Sequence, residues 1–505
     1  MTNALYDSLL GANAGKEKPF LHFADGSCLT HAAFVKVAAK LAHVLVENGL
    51  RPGDRLAMQA EKSAEALAIY AACVQAGVVF LPLNTAYTVD ELTYFIENSG
   101  ARLVICDERA QFALLPVVHR FGAELATLNA NGSGSVTEHA QNQPDEFETV
   151  PRTQEDLAAF LYTSGTTGRS KGAMLTQANL LSNAAVLAEH WRFSENDKLL
   201  HALPIFHTHG LFVATNISLL TGGSMICLPK FDVDAIVDLM PQATVMMGVP
   251  TFYTRLLDDP RLTPDLTRHM RLFVSGSAPL LAETHQRFER RTGHRILERY
   301  GMTETNMNTS NPYDGERRPG TVGFPLPGVE LKITDPSNGQ IVPNGDVGQI
   351  EVRGQNVFKG YWQMPDKTAA ELRSDGFFIT GDLGKLDNDG YVQIVGRNKD
   401  LIISGGYNVY PKEIELVLDE QPGVLESAII GVPDADFGET VVGILVAEPG
   451  ETLDIEAIND AAGASLARFK HPRRLIIVDE LPRNTMGKVQ KNLLRETYRE
   501  LFMPA

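Results

Sequence analysis

Short apolar runs bounded by turn residues recur along the first 400 or so positions, each beside a segment of helical composition. Ala64 to Gly77 is rich in alanine and other helix formers and stops at a glycine, the residue that most readily closes a helix. Val78 to Leu83 follows at once as a strand-like run, and Arg102–Cys106, Leu157–Tyr162, Val245–Val249 and Met270–Ser275 share its character. Strand-length runs without polar alternation, separated by helices, predict an α/β fold with largely parallel strands.

The texture changes twice. Between about 320 and 396, short alternating strands such as Gly348–Arg353 are punctuated by Gly, Pro and Asp, which predicts a small β subdomain. Beyond Arg397-Asn398-Lys399-Asp400, a helical stretch (Pro411–Gln421) leads into Ala428–Val432, Val442–Val446 and Leu475–Val478. Three strands with intervening helices make a small α+β domain. The expected division is 1–398 and 399–505, with a hinge at Lys399. Asn129–Asp145, polar and glycine-bearing, reads as a loose surface loop.

The 505 residues carry a formal net charge of −17, which argues against nucleic acid or an anionic membrane as a partner. A site for a polyanion must then concentrate positive charge locally. Four scattered cysteines suggest neither a disulfide framework nor a zinc site. The N-terminus lacks the basic start and apolar core of a secretory signal, and no apolar run reaches the roughly 20 residues of a membrane span. A cytoplasmic protein is expected.

Against this background, Thr163-Ser164-Gly165-Thr166-Thr167-Gly168, followed by Lys171, carries the chemistry. Glycines let successive N–H groups converge on an anion, hydroxyls add donors, and Lys171 adds a mobile charge. This is a phosphate cradle, but it lacks the Walker arrangement because Gly172 follows the lysine. Five further segments follow in order: Ser277-Ala278-Pro279, Glu298-Arg299-Tyr300-Gly301-Met302-Thr303-Glu304, Asp382 with Arg397, Ser404-Gly405-Gly406-Tyr407, and Asn484 to Lys488. Together they resemble the adenylate-forming superfamily of acyl-CoA synthetases, peptide-synthetase adenylation domains and luciferases, over about residues 20–495.

That resemblance implies ATP, Mg²⁺ and coenzyme A. Thr163–Lys171 would cradle the phosphates, with Glu304 and Thr163 at Mg²⁺. Ser277–Pro279 and Glu298–Thr303 would surround adenine and the α-phosphate, and Asp382 and Arg397 the ribose. Lys488, Thr303 and Glu304 would be catalytic, and Lys488 would also be a candidate target of a lysine acetyltransferase. Lys399, Gly405, Gly406 and Tyr407 would face coenzyme A. His207, in the segment Pro204–Gly210, would line the acid pocket; its His-x-His spacing with His209 lacks the further ligands of a metal site.

Arg299 and Arg255 fall in segments that line the acid pocket in this superfamily. A guanidinium fork suits a carboxylate, so two of them suggest an acid with a second carboxylate, unless Glu298 or Asp258 pairs with them instead. Residues 201–212 and 298–310 also resemble the branch of the superfamily that takes malonate, which implies malonate or methylmalonate as the acid. Three other readings stay open at this point: an acyl-CoA synthetase for another short carboxylic acid, a stand-alone adenylation domain loading a carrier protein, and a nucleotide sensor that has lost catalysis.

Overall fold

The computed structural model describes residues 3–163, 170–404, 407–434, 437–484 and 488–502. Among them, two large sheets form the N-terminal part. One runs in the order Glu124–Thr127, Leu103–Cys106, Arg55–Gln59, Val79–Pro82, Leu157–Thr163 and Lys171–Thr176, parallel except for the last strand. The other is nine-stranded and parallel through its centre, where Leu297–Met302, Leu272–Ser275, Val245–Gly248, Lys198–His201 and Ser224–Cys227 lie in spatial order. The buried-strand pattern of the sequence corresponds to these central strands.

Helix Ala64–Ala76 is buried at every position from Ala66 on. A helix apolar all round needs cover on every side, and it packs on helix His31–Glu47 while the Tyr70 hydroxyl donates to Asn216 Oδ1 at 3.1 Å. Gly77 closes it in the left-handed region at φ 69°.

An antiparallel sheet of Val329–Thr334, Gly348–Gly354, Phe378–Leu386 and Val392–Arg397 forms the predicted β subdomain. It is tied to the first domain by backbone bonds from Phe358 to Glu304 and from Trp362 to Gly172, each 2.8 Å. A turn at Asn398–Asp400 leads into a sheet that has five strands where the sequence suggested three, because Ile402–Ser404 and Tyr407–Val409 add a short hairpin. Their brevity hid them. No helix among the described residues is long and apolar enough to cross a membrane.

The segment 129–145 is not the loose loop expected. Ser135–Ala140 forms a helix with Val136 and Ala140 buried, and Ser135 and Thr127 bond each other's backbone N–H groups at 2.9 Å. Gly134 makes this possible: at φ 145°, a Cβ there would lie 2.3 Å from the Thr127 carbonyl oxygen.

Candidate active site

The site gathers at the C-terminal ends of the parallel strands, where an open α/β sheet places its ligands. Strand Leu297–Met302 and the turn after it supply part of it. Glu298 is buried and accepts from His285 Nδ1 at 3.2 Å, with burial raising its carboxyl pKa. It therefore offers the cleft no free carboxylate, and it is not the partner of Arg299.

Arg299 is 3 % exposed, and its Nε and Nη2 have no hydrogen-bond partner among the described residues. Its guanidinium lies against Gly276, where a Cβ would stand 2.4 Å from Cζ. Burial, opposed only by Tyr253, holds Arg299 down to about 9. A guanidinium does not release its proton under such conditions, so what burial leaves is a cation in need of an anion. His209 sits in its field, neutral and pushed well below the usual histidine range by burial first and Arg299 next. Its Nδ1 meets the Ser277 hydroxyl at 3.3 Å. Ser277 is left-handed at φ 71°, a conformation rare outside glycine that concentrates at functional sites.

Arg255 does not join this group. Helix Pro250–Leu257 buries Phe252, Tyr253, Leu256 and Leu257 and leaves Arg255 exposed. A hydrated guanidinium needs no second carboxylate, so the expectation of two arginines reduces to one.

The Tyr300 hydroxyl donates to Asp382 Oδ2 at 2.6 Å. Asp382, paired across two strands with Arg397, also receives the Arg397 Nε at 3.1 Å. One residue further on, Gly301 is required because a Cβ there would lie 1.9 Å from the Asn306 carbonyl oxygen, across the turn from Met302 to Asn306. That turn presents Thr303, which lines a cavity with His207, Phe206 and Leu161, and buried Glu304.

The Thr163 hydroxyl donates to Glu304 Oε1 at 3.3 Å. Tyr361 lies 3.0 Å from the same oxygen and 2.7 Å from Glu371 Oε2, while Lys171 Nζ reaches the Tyr361 hydroxyl at 3.1 Å and Glu371 at 3.3 Å. Tyr361 and Glu371 carry no local motif and arrive from the β subdomain more than 50 residues away along the chain. A buried carboxylate with a hydroxyl beside it suits Mg²⁺, which keeps waters and takes its remaining oxygens from substrate phosphates.

Lys488 comes from the C-terminal domain, on a turn where its N–H bonds Asn484 Oδ1 at 3.0 Å. Lys488 is exposed overall, yet the protein around its ammonium lowers it to about 8. Burial is the main cause and Arg397 the next, with Asp382 and Glu304 opposing. His207, held down to about 3 by burial and then by Lys488, stands nearby. Lys488, Arg397, Asp382, Glu304, Arg299 and His207 thus share one cleft.

Ala278 is partly buried and Pro279 exposed on the loop after Leu272–Ser275. Lys399 is exposed in the inter-domain turn, and Tyr407 stacks on Phe469 at 4.7 Å between ring centroids. Ser164, Gly165, Thr166, Thr167, Gly168, Gly405 and Gly406 lie outside the described residues.

Residues 11–362 match the profile of the AMP-binding enzymes, and residues 413–488 match that of the AMP-binding enzyme C-terminal domain. The chain belongs to the AMP-binding enzyme family. A malonate–CoA ligase of Arabidopsis thaliana is 37 % identical over 89 % of this chain and 79 % of that protein. The crystal structure of ATP-bound MatB from Rhodopseudomonas palustris is 57 % identical over 99 % of this chain and 100 % of that one, with a TM-score of 0.97. Apo MatB from the same source, 56 % identical at the same coverages, gives 0.87. The arrangement of this family member therefore matches the nucleotide-bound form more closely than the empty one.

Proposed function

We propose that this protein joins malonate to coenzyme A at the expense of ATP, through malonyl-adenylate, releasing pyrophosphate and then AMP. The buried, unpartnered guanidinium of Arg299 carries the reading: it calls for an anion beyond the carboxylate that reacts. The likeness to proteins named as malonate–CoA ligases supports it.

Arg299 holds the distal carboxylate, and the neutral His207 and His209 shape the pocket around it without adding charge. One oxygen of the other carboxylate attacks the α-phosphorus, and the bond to the bridging oxygen of pyrophosphate breaks. Lys488 lies between these oxygens and offsets the charge that grows there, a task suited to a compact ammonium. The Tyr300 hydroxyl orients Asp382 toward the ribose hydroxyls, and Arg397 closes that side. Glu304 and Thr163 would hold Mg²⁺, which would supply positive charge to neutralise the departing phosphates. Catalysis is positioning and charge neutralisation, with no covalent enzyme intermediate.

In the second half-reaction the coenzyme A sulfur attacks the acyl carbon and AMP leaves. A rotation about Lys399 exchanges Lys488 for the Gly405-Gly406 loop, with Tyr407 on the coenzyme A side. Methylmalonate fits the same scheme, since one methyl group is worth only about 1–3 kcal/mol of discrimination. Acetylation of Lys488 by a lysine acetyltransferase would remove the charge on which the first step depends. The reaction belongs to the cytoplasm, where ATP and coenzyme A are at hand.

The test is pyrophosphate release across a panel of mono- and dicarboxylates, with and without coenzyme A. Malonate and methylmalonate should lead, and AMP turnover should need coenzyme A but no carrier protein. Preference for acetate or propionate over malonate would refute the dicarboxylate assignment.

A further inference from the structure

Lys62 has no part in the chemistry above. It follows strand Arg55–Gln59, directly precedes Ser63, the cap of helix Ala64–Ala76, and is 6 % exposed. Its Nζ donates to three neutral acceptors: His201 Nδ1 at 3.1 Å, the His201 carbonyl at 3.0 Å and the Leu203 carbonyl at 2.9 Å. An ammonium has three donors, and all three are used. Because Nδ1 of His201 accepts, the ring proton sits on Nε2, which donates to the Gly210 carbonyl at 2.8 Å. The Thr215 hydroxyl donates to that same carbonyl at 3.0 Å.

The segment between these two anchors carries Phe206, His207 and His209. It is folded tightly, since a Cβ at Gly210 would lie 2.0 Å from the Pro204 carbonyl oxygen. Gly210 also belongs to the π-helix His209–Thr215, a wide turn common at functional sites. One ammonium–imidazole pair thus grips both ends of the loop that walls the acid pocket. The grip crosses between the two large sheets, since Lys62 follows a strand of the first and His201 ends a strand of the second.

We propose that Lys62 is a positioning residue for the acid pocket: acting through His201, it fixes the His207–His209 loop and so sets the affinity for the dicarboxylate without touching it. The proposal rests on the reading of the cleft as a malonate site. A buried charge without a counter-ion is costly, and a methionine of similar length would fill the space without that cost. What the lysine adds is direction, three bonds aimed at fixed acceptors. Burial lowers Lys62 to about 8 and His201 to about 3, so the ammonium and the neutral imidazole are the forms present at neutral pH.

The test measures initial rates of pyrophosphate release by the full chain, varying malonate and ATP separately. Lys62→Met should raise the malonate KM at least tenfold and leave the ATP KM within about twofold. Arg271→Met, which breaks a partly buried pair with Asp197 at the opposite end of strand Lys198–His201, serves as a purely structural comparison. It should lower the unfolding temperature without moving the malonate KM. If Lys62→Met does not fold, His201→Gln, which keeps an acceptor and a donor, should stay near wild type, while His201→Leu should reproduce the malonate-specific loss. An unchanged malonate KM, or equal rises in both KM values, overturns the proposal. Wild-type protein that fails to use malonate at all would instead refute the substrate reading.

Discussion

Replacing Arg299 with methionine separates what the guanidinium costs the empty protein from what it gives the loaded one. Its fall from the ordinary guanidinium range to about 9, at about 1.4 kcal/mol per tenfold change in proton affinity, bounds the cost of the unpaired charge at about 5 kcal/mol. Methionine fills a similar volume, and replacing buried ionic groups by apolar ones recovers about 1–4 kcal/mol. The ligand-free variant should therefore unfold several degrees higher than wild type. With malonate, the loss of a buried charge partner, about 3–5 kcal/mol, corresponds to about 10² to 10³·⁵ in kcat/KM. Pyrophosphate release gives that number, and propionate, which lacks the distal charge, should lose little or gain. Added malonate should raise the unfolding temperature of wild type but not of the variant. If Arg299→Met keeps malonate kcat/KM within tenfold of wild type, or loses propionate equally, the guanidinium does not read the acid.

Lys488→Ala should abolish adenylation yet spare thioester formation from supplied malonyl-adenylate; equal loss in both half-reactions would sink its assignment. Because Lys488 is lowered to about 8, it is charged below that pH and neutral above. Wild-type adenylation should hold up to about pH 8 and then fall toward tenfold per pH unit in kcat/KM, and a flat profile to pH 9.5 would contradict this. Gly276→Ala places a methyl 2.4 Å from the Arg299 Cζ and should raise the malonate KM while leaving the ATP KM alone, as substrate-resolved kinetics would reveal. Lys399→Pro fixes φ in the turn between domains and should impair one half-reaction far more than the other, whereas uniform loss would argue against a rotation there.

The parallel strands were legible because burial on both faces leaves unbroken apolar runs, as in Val245–Gly248 and Leu272–Ser275. The helix at Ser135 was not, since six residues with two buried side chains leave too faint a period, and its anchor is a long-range bond to Thr127. Within the cleft, residues set in local motifs stood out: Thr163, Glu304, Asp382 and Lys488. Tyr361, Glu371 and Gly276 carry no local signature, because their meaning lies in partners that only folding brings near. Arg255 misled for a related reason. Its segment does border the Arg299 pocket through Tyr253, but helical phase turns Arg255 to water.

Along Leu297–Met302, three successive residues serve three purposes. Glu298 anchors the strand to His285, Arg299 lies buried with Nε and Nη2 unpartnered among the described residues, and Tyr300 holds the Asp382 carboxylate. On the function proposed above, the strand would act as a ruler, because the acid contact and the nucleotide contact spring from adjacent residues of one hydrogen-bonded backbone and neither can shift without the other. An acid one methylene longer cannot adjust that spacing. With its far end seated on Arg299, its near carboxylate would overrun the phosphorus, so chain length would be gauged by the strand together with the pocket walls.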